Sequence, residues 1–307
     1  MSKFKLSEIK GVIPAMMTFF DENENIDYEA TKKMLDFMMA KEVDGLYLTG
    51  STGLTFTMTS EERQAYVQFV CDYVDGRLPI IVHVGAIGTK KSIALAKQAE
   101  KAGADAISSV PPFYWHFSAE DIYNYYRDVS ESVEIPMVVY NIVLAGTMDT
   151  DLLLKIASLP NVGGLKYTAR SHDEMGFLKT KLGKDFMIYS GCDEMAFSGL
   201  CFGADGIIGS FYNLIPDFYK ALYRAVEESD IPKAMRLQKI ADAFIFACLK
   251  YDFPSVGHNV LTWRGLPETF PRRPFTAYKD ADLGELKKAV KEIIEKYDAR
   301  ELDVFDF

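Results

Sequence analysis

A (β/α)8, or TIM, barrel with a C-terminal helical extension is the fold class that the sequence predicts, and three observations carry it. Short apolar runs rich in β-branched residues recur from the start of the chain to about residue 225. Amphipathic helical patterns with recognisable start and stop residues fill the intervals. The step from one run to the next is about 25 to 30 residues, the length of one βα unit. A doubly wound sheet would show the same alternation, but roughly eight units in succession favour a closed barrel.

The expected strands span residues 11–19, 45–49, 79–84, 106–110, 137–140, 163–167, 186–189 and 206–208. Each is nearly continuous in apolar residues, as parallel strands covered on both faces require. Between them, Thr59 and Glu62 form a capping box ahead of a helix over 63–73. Thr89 precedes a helix over 90–102 that Gly103 terminates, and Ser118 precedes one over 119–129. The barrel is expected over 1–225 and the helical extension over 226–307, the two forming a single structural unit. Helices are expected in the extension at 231–250, near 258–264 and at 283–297. The stretch 267–274 holds three prolines and reads as a connector.

Composition narrows the function classes. The chain has 307 residues, 49% hydrophobic and 25% charged, enough to bury a large core. Its net charge of -10 argues against a nucleic-acid partner while leaving room for an anionic small molecule, because a buried site sets its own local field. The four cysteines lack CxxC spacing, and Cys201 and Cys248 fall in apolar helical stretches as packed thiols. The N-terminus has no apolar signal region, and no run is long enough to span a bilayer, so the chain reads as cytoplasmic with no membrane partner.

Barrels of this type carry their chemistry where strands end and βα loops begin. Lys166 lies in Val162-Gly163-Gly164-Leu165-Lys166-Tyr167-Thr168, otherwise a short buried strand. Burying an ammonium is costly, so such a lysine either finds a partner, extends to water along its stem, or sheds its proton and becomes a nucleophile for a ketone. Gly50-Ser51-Thr52-Gly53 ends the second strand with two hydroxyls and exposed amides. That suits a carboxylate or phosphate, or a plain turn. Tyr140 ends the fifth strand as either a core tyrosine or a proton relay facing an amine. Asp193 and Glu194 suit the N-terminus of the seventh helix or accept from substrate hydroxyls. Tyr114-Trp115 is a rim clamp or packing. His83 ends the third strand and fits a satisfied core histidine better than a catalytic one. His116, His172 and His258 have no metal-ligand spacing, and no dinucleotide fingerprint opens a helix, so neither metal nor organic cofactor is expected.

These segments resemble the N-acetylneuraminate lyase branch of the dihydrodipicolinate synthase and N-acetylneuraminate lyase family of class I pyruvate-dependent aldolases. The resemblance runs through Gly50-Ser51-Thr52-Gly53, Met137-Val138-Val139-Tyr140-Asn141-Ile142, Gly164-Leu165-Lys166-Tyr167-Thr168 and Gly203 to Ser210, with Gly191-Cys192-Asp193-Glu194 similar to the lyase branch. It implies a Schiff-base lysine at Lys166, a proton relay at Tyr140, and Ser51 and Thr52 holding the pyruvate carboxylate. Thr168, Gly191, Asp193, Glu194 and Ser210 fall at positions that contact the sugar part. Tyr114 matches a tyrosine that reaches into a neighbouring subunit's site in a homotetramer. The implied reaction cleaves a sugar-derived 2-oxo acid, N-acetylneuraminate foremost, to pyruvate and an aldehyde. The alternatives are a related aldolase or dehydratase and a non-enzymatic sensor. Ala145-Gly146 replaces the arginine-containing run of the synthases. Leu54, Val143 and Arg170 depart from the lyase pattern and leave the aldehyde partner open.

Overall fold

The computed structural model describes residues 2–302 and Phe305. Met1 and residues 303, 304, 306 and 307, the last four belonging to the expected extension, lie outside the described residues.

Eight parallel strands form one sheet: β1 (Gly11–Pro14), β2 (Leu46–Leu48), β3 (Ile80–His83), β4 (Ala106–Ser109), β5 (Met137–Ile142), β6 (Val162–Thr168), β7 (Met187–Ser190) and β8 (Gly206–Gly209). Their order is β1-β8-β7-β6-β5-β4-β3-β2. A bridge between Ala15 and Tyr47, with the Met16 amide donating to the Tyr47 carbonyl at 2.9 Å, brings the two edges together. This makes the expected barrel. β1 is shorter than the expected 11–19 because the chain changes partner at Ala15. The Ala15 amide still donates to Gly209 of β8, whereas Met16 turns to β2. β5 and β6 run longer than expected because they pair with each other as far as Ile142 and Thr168.

Helices α1 (Tyr28–Ala40), α2 (Ser60–Val74), α3 (Thr89–Ala102), α4 (Ala119–Ser130), α5 (Thr150–Ala157), α6 (His172–Leu182), α7 (Ala196–Cys201) and α8 (Pro216–Glu227) follow the strands in turn. The Thr59–Glu62 box caps α2, and Ser118 caps α4 with Asp121 as its reciprocal partner. Thr89 is not a cap. The Gly88 carbonyl accepts the first helical bond, from Ser92, so Thr89 is the first helical residue of α3. Gly103 ends that helix at φ +98°, in the left-handed region glycine tolerates.

Period-two alternation sorts the strand residues between two apolar layers. Leu46, Leu48, Val139, Leu165 and Tyr167 face the helices, while Ile13, Tyr47, Ile81, Val138, Tyr140, Met187, Tyr189 and Ile208 fill the barrel interior. Burial on both faces explains the unbroken apolar runs. Lys166, between two outward residues, therefore points into the barrel.

The extension forms α9 (Ile231–Cys248), α10 (Phe253–Trp263) and α11 (Gly284–Tyr297), with α9 against α7 and α8 and α11 against α9. α10 starts five residues before the expected 258 because Pro254 occupies the first helical turn, where its missing N–H costs nothing. The connector is strapped to the barrel. Arg272 is buried and donates to both carboxylate oxygens of Glu62, at 2.8 and 2.7 Å. Cys248 is buried as expected, but Cys201 is exposed, because α7 ends there and buries Ala196 and Gly199 instead. Among the described residues no helix is long and apolar enough to cross a membrane.

Candidate active site

The C-terminal ends of the strands surround a cavity of about 490 Å³. Ser51, Thr52, Tyr140, Lys166, Thr168, Gly191 and Ser210 all line it, so residues from five strand ends converge on one space.

Lys166 is 4% exposed, and among the described residues it makes no ion pair and no hydrogen bond. Two aromatic faces flank it: its Nζ lies 4.1 Å from the Tyr140 ring centroid and 4.4 Å from that of Tyr47. Desolvated contacts of this kind stabilise a cation by about 2 kcal/mol, which offsets part of the cost of burial. The register places Tyr140 directly beside Lys166 across the β5–β6 ladder. Tyr47 is fully buried and donates to Ser108 Oγ at 3.0 Å. Burial, with Tyr140 beside it, holds the Tyr47 phenol well above its ordinary pKa, so it remains neutral. Sequence reasoning missed Tyr47. Its only signal was an aromatic residue between Leu46 and Leu48, and that pattern does not say which face meets the lysine.

The Ser51–Thr52 segment is held as a tight loop. The Leu54 amide donates to the Ser51 carbonyl at 3.0 Å and the Thr55 amide to Gly50 at 3.3 Å. The amides of Ser51 and Thr52 have no acceptor among the described residues. Thr52 and Ser210 share a hydroxyl–hydroxyl bond of 2.6 Å, linking the ends of β2 and β8 across the cavity. Together these free amides and hydroxyls can receive a carboxylate. Thr168 Oγ1 is buried without a partner on the same wall. Gly191 leaves it room: a Cβ there would stand 1.9 Å from Thr168 Oγ1 and 3.2 Å from Lys166 Cε.

Asp193, Glu194 and Tyr114 do not line this cavity. Asp193 and Glu194 belong to a short 3-10 turn, Asp193–Met195, rather than to the first turn of α7. The buried Asp193 carboxylate crosses to the next loop and accepts from the Phe211 amide at 2.7 Å. Burial is the main reason its pKa is pushed up to about 7. Tyr114 is 91% exposed with φ +79° and projects away from its own barrel. Arg170 is exposed as well. Sequence reasoning did not foresee that Phe253, Pro254 and Phe275 of the extension close one side of the cavity. Their distance along the chain concealed it. Among the described residues no group of three or more His, Cys, Asp or Glu side chains is placed to hold a metal ion.

Comparison with known proteins gives the family. The model of the Dihydrodipicolinate synthetase family matches residues 8–293. The N-acetylneuraminate lyase of Citrobacter koseri is 35% identical over 94% of this chain and 98% of its own. N-acetylneuraminate lyase 2 of Escherichia coli O6:H1 is 37% identical over 95% of this chain and 96% of its own. In structure, the catalytic lysine mutant of Ruminococcus gnavus sialic acid aldolase superposes with a TM-score of 0.90, at 28% identity, over 98% of this chain and 99% of that one. A family model matching residues 8–293, with relatives 35–37% identical over nearly the whole chain, places the chain in the Dihydrodipicolinate synthetase family.

Proposed function

We propose that this chain is a Schiff-base-forming class I lyase that cleaves a 2-oxo acid to pyruvate and an aldehyde. One observation carries the reading: Lys166 is buried without an ion-pair or hydrogen-bond partner among the described residues, 4.1 Å from the Tyr140 ring, in a cavity that also holds free amides and hydroxyls. The catalytic lysine of the Ruminococcus gnavus sialic acid aldolase supports it.

The steps balance on the residues present. Ser51, Thr52 and their amides hold the substrate carboxylate, and Lys166 Nζ attacks the C2 ketone to give a carbinolamine. Tyr140 gives its phenolic proton to the carbinolamine hydroxyl, which leaves as water and yields the iminium. The resulting phenolate takes the C4 hydroxyl proton by way of the substrate carboxylate. The C3–C4 bond breaks, its electrons pass to the iminium as an enamine, and the aldehyde departs. Tyr140 returns the proton to C3, and addition of water to the iminium, with the phenolate recovering a proton, releases pyruvate and restores the Lys166 amine. No metal or organic cofactor enters this scheme.

N-acetylneuraminate, giving N-acetylmannosamine and pyruvate, is the substrate to which the relatives' names point. A different 2-oxo sugar acid is the second reading, favoured by Leu54, an apolar residue on the cavity wall beside the carboxylate loop. The working form in this proposal is a cytoplasmic homotetramer. Tyr114 and Trp115 support the assembly, since they stand 91% and 74% exposed at the mouth of the barrel.

Borohydride added in the presence of pyruvate tests the chemistry. A mass adduct on Lys166 is expected, and a folded sample with no adduct there would overturn the reading. Pyruvate release from N-acetylneuraminate and from shorter 2-oxo sugar acids then separates the two substrates.

A further inference from the structure

His83 ends β3, and its imidazole ties together three strand ends. Nδ1 lies 3.0 Å from the Thr49 carbonyl, just beyond β2, and Nε2 lies 3.3 Å from the Val110 amide, just beyond β4. A carbonyl only accepts and an amide N–H only donates, so these partners assign a neutral ring with its proton on Nδ1. Burial first, then the Arg63 guanidinium and Lys166, hold the imidazole well below its usual pKa, against the opposing Thr49 bond. Both nitrogens are occupied, which leaves neither free for a substrate proton.

Thr49 explains what this arrangement restrains. It is a fully buried β-branched residue at φ +52°, a left-handed conformation that such residues rarely adopt. Its hydroxyl is 2.8 Å from the His83 carbonyl and 2.8 Å from that of Leu48. Arg63 donates to the same His83 carbonyl at 2.8 Å and to Gly85 at 3.0 Å. Gly50, Ser51 and Thr52 follow directly. The other side of the ring packs edge-on against Tyr140, with centroids 6.2 Å apart and planes at 89°.

We propose that His83 is a positioning residue, a latch that holds the strained Thr49 turn so that Ser51, Thr52 and Tyr140 keep a fixed geometry around the substrate. This rests on the reading that Ser51 and Thr52 grip the carboxylate of a 2-oxo acid. The latch acts through backbone: His83 bonds to the carbonyl of the residue two before Ser51 and to the amide of Val110 on the cavity wall.

The test follows the borohydride-trapped Lys166 adduct against pyruvate concentration in the full-length protein. His83→Phe keeps a ring but removes both hydrogen bonds, and His83→Asn restores a donor near Nδ1. The half-saturating pyruvate concentration is expected to rise about tenfold or more in His83→Phe, within the range that ångström-scale misplacement produces, and to recover partly in His83→Asn. Thr49→Val keeps the side-chain shape without the hydroxyl. It should raise the value by itself, which serves if His83→Phe does not fold. The pH profile of turnover should keep the same limbs in every variant.

Unchanged half-saturation in folded His83→Phe and Thr49→Val would make His83 a packing residue only and overturn the proposal. A lost limb of the pH profile would make it an acid–base group and overturn it too. Wild type without any adduct would instead remove the underlying reading, and the latch with it.

Discussion

Lys166 and Tyr140 are register partners on adjacent parallel strands, and the lysine nitrogen rests 4.1 Å from the centre of the tyrosine ring. In the proposed mechanism the ring face and the phenol of Tyr140 serve different steps: the face supports a cation at Nζ, and the hydroxyl moves a proton.

Tyr140→Phe separates them. The face remains, so pyruvate should still form a trappable imine on Lys166. Turnover should fall about 10²- to 10⁴-fold, the range for a lost general acid–base group. Adduct mass and pyruvate release, measured on the same sample, check this. Equal losses in both would assign the tyrosine to imine formation instead.

Gly191→Ala probes how closely the wall fits. The added methyl meets Thr168 Oγ1 at 1.9 Å, which something must yield to accommodate. Overpacking of this kind costs about 1–3 kcal/mol, and the displaced neighbours are Thr168 and Lys166. Lower thermal stability and lower kcat are expected together. Adding Thr168→Ala should recover the melting temperature without recovering kcat, because it removes the clash and also a cavity hydroxyl.

Glu62→Gln tests the strap between connector and barrel. Glu62 caps α2 by accepting from the Thr59 amide and also receives both Arg272 nitrogens. Arg272 holds the Glu62 carboxyl below its usual pKa. With the folded pKa lowered, the stabilisation is present above the unfolded value of about 4.3 and disappears as pH falls through the folded value. The substitution should cost about 1.5–3 kcal/mol at neutral pH, and less in acid. Urea titrations at two pH values measure both.

His258 supplies the opposite kind of titration. It is buried, its Nδ1 is 2.8 Å from Thr269 Oγ1, and burial pushes its pKa down to about 3. Between the unfolded value of about 6.5 and the folded one, the unfolded chain binds a proton that the folded chain does not. Stability therefore falls as pH drops across that window, by at most about 1.4 kcal/mol per pH unit for one such group. His258→Gln should flatten this part of a plot of unfolding free energy against pH. An unchanged slope would count against a neutral buried imidazole.

Much of this was legible along the chain. Eight apolar runs at βα spacing, the capping boxes at Thr59 and Ser118, and the glycine stop at Gly103 are local signals, written in neighbouring residues. Lys166, Tyr140, Ser51, Thr52, Thr168, Gly191 and Ser210 could be picked out because each falls where a strand ends, and the structure brings all seven to one cavity. The cap assigned to Thr89 and the packed state expected for Cys201 show the limit. Each depended on where a helix begins or ends to within a residue, and backbone bonding decides that.

By itself the sequence determined the barrel, the extension and the lysine in an apolar strand, because period, charge and turn chemistry act over a few residues at a time. Tertiary structure alone decided which groups meet. Tyr47 faces the Lys166 nitrogen, Asp193 turns to the Phe211 amide instead of the cavity, His83 bonds across three strand ends, and Phe253 and Phe275 return from the extension to close a wall. The physical reason is closure. Joining the ends of the sheet sets residues far apart in the chain side by side, and a buried lysine takes its character from whatever neighbours closure supplies.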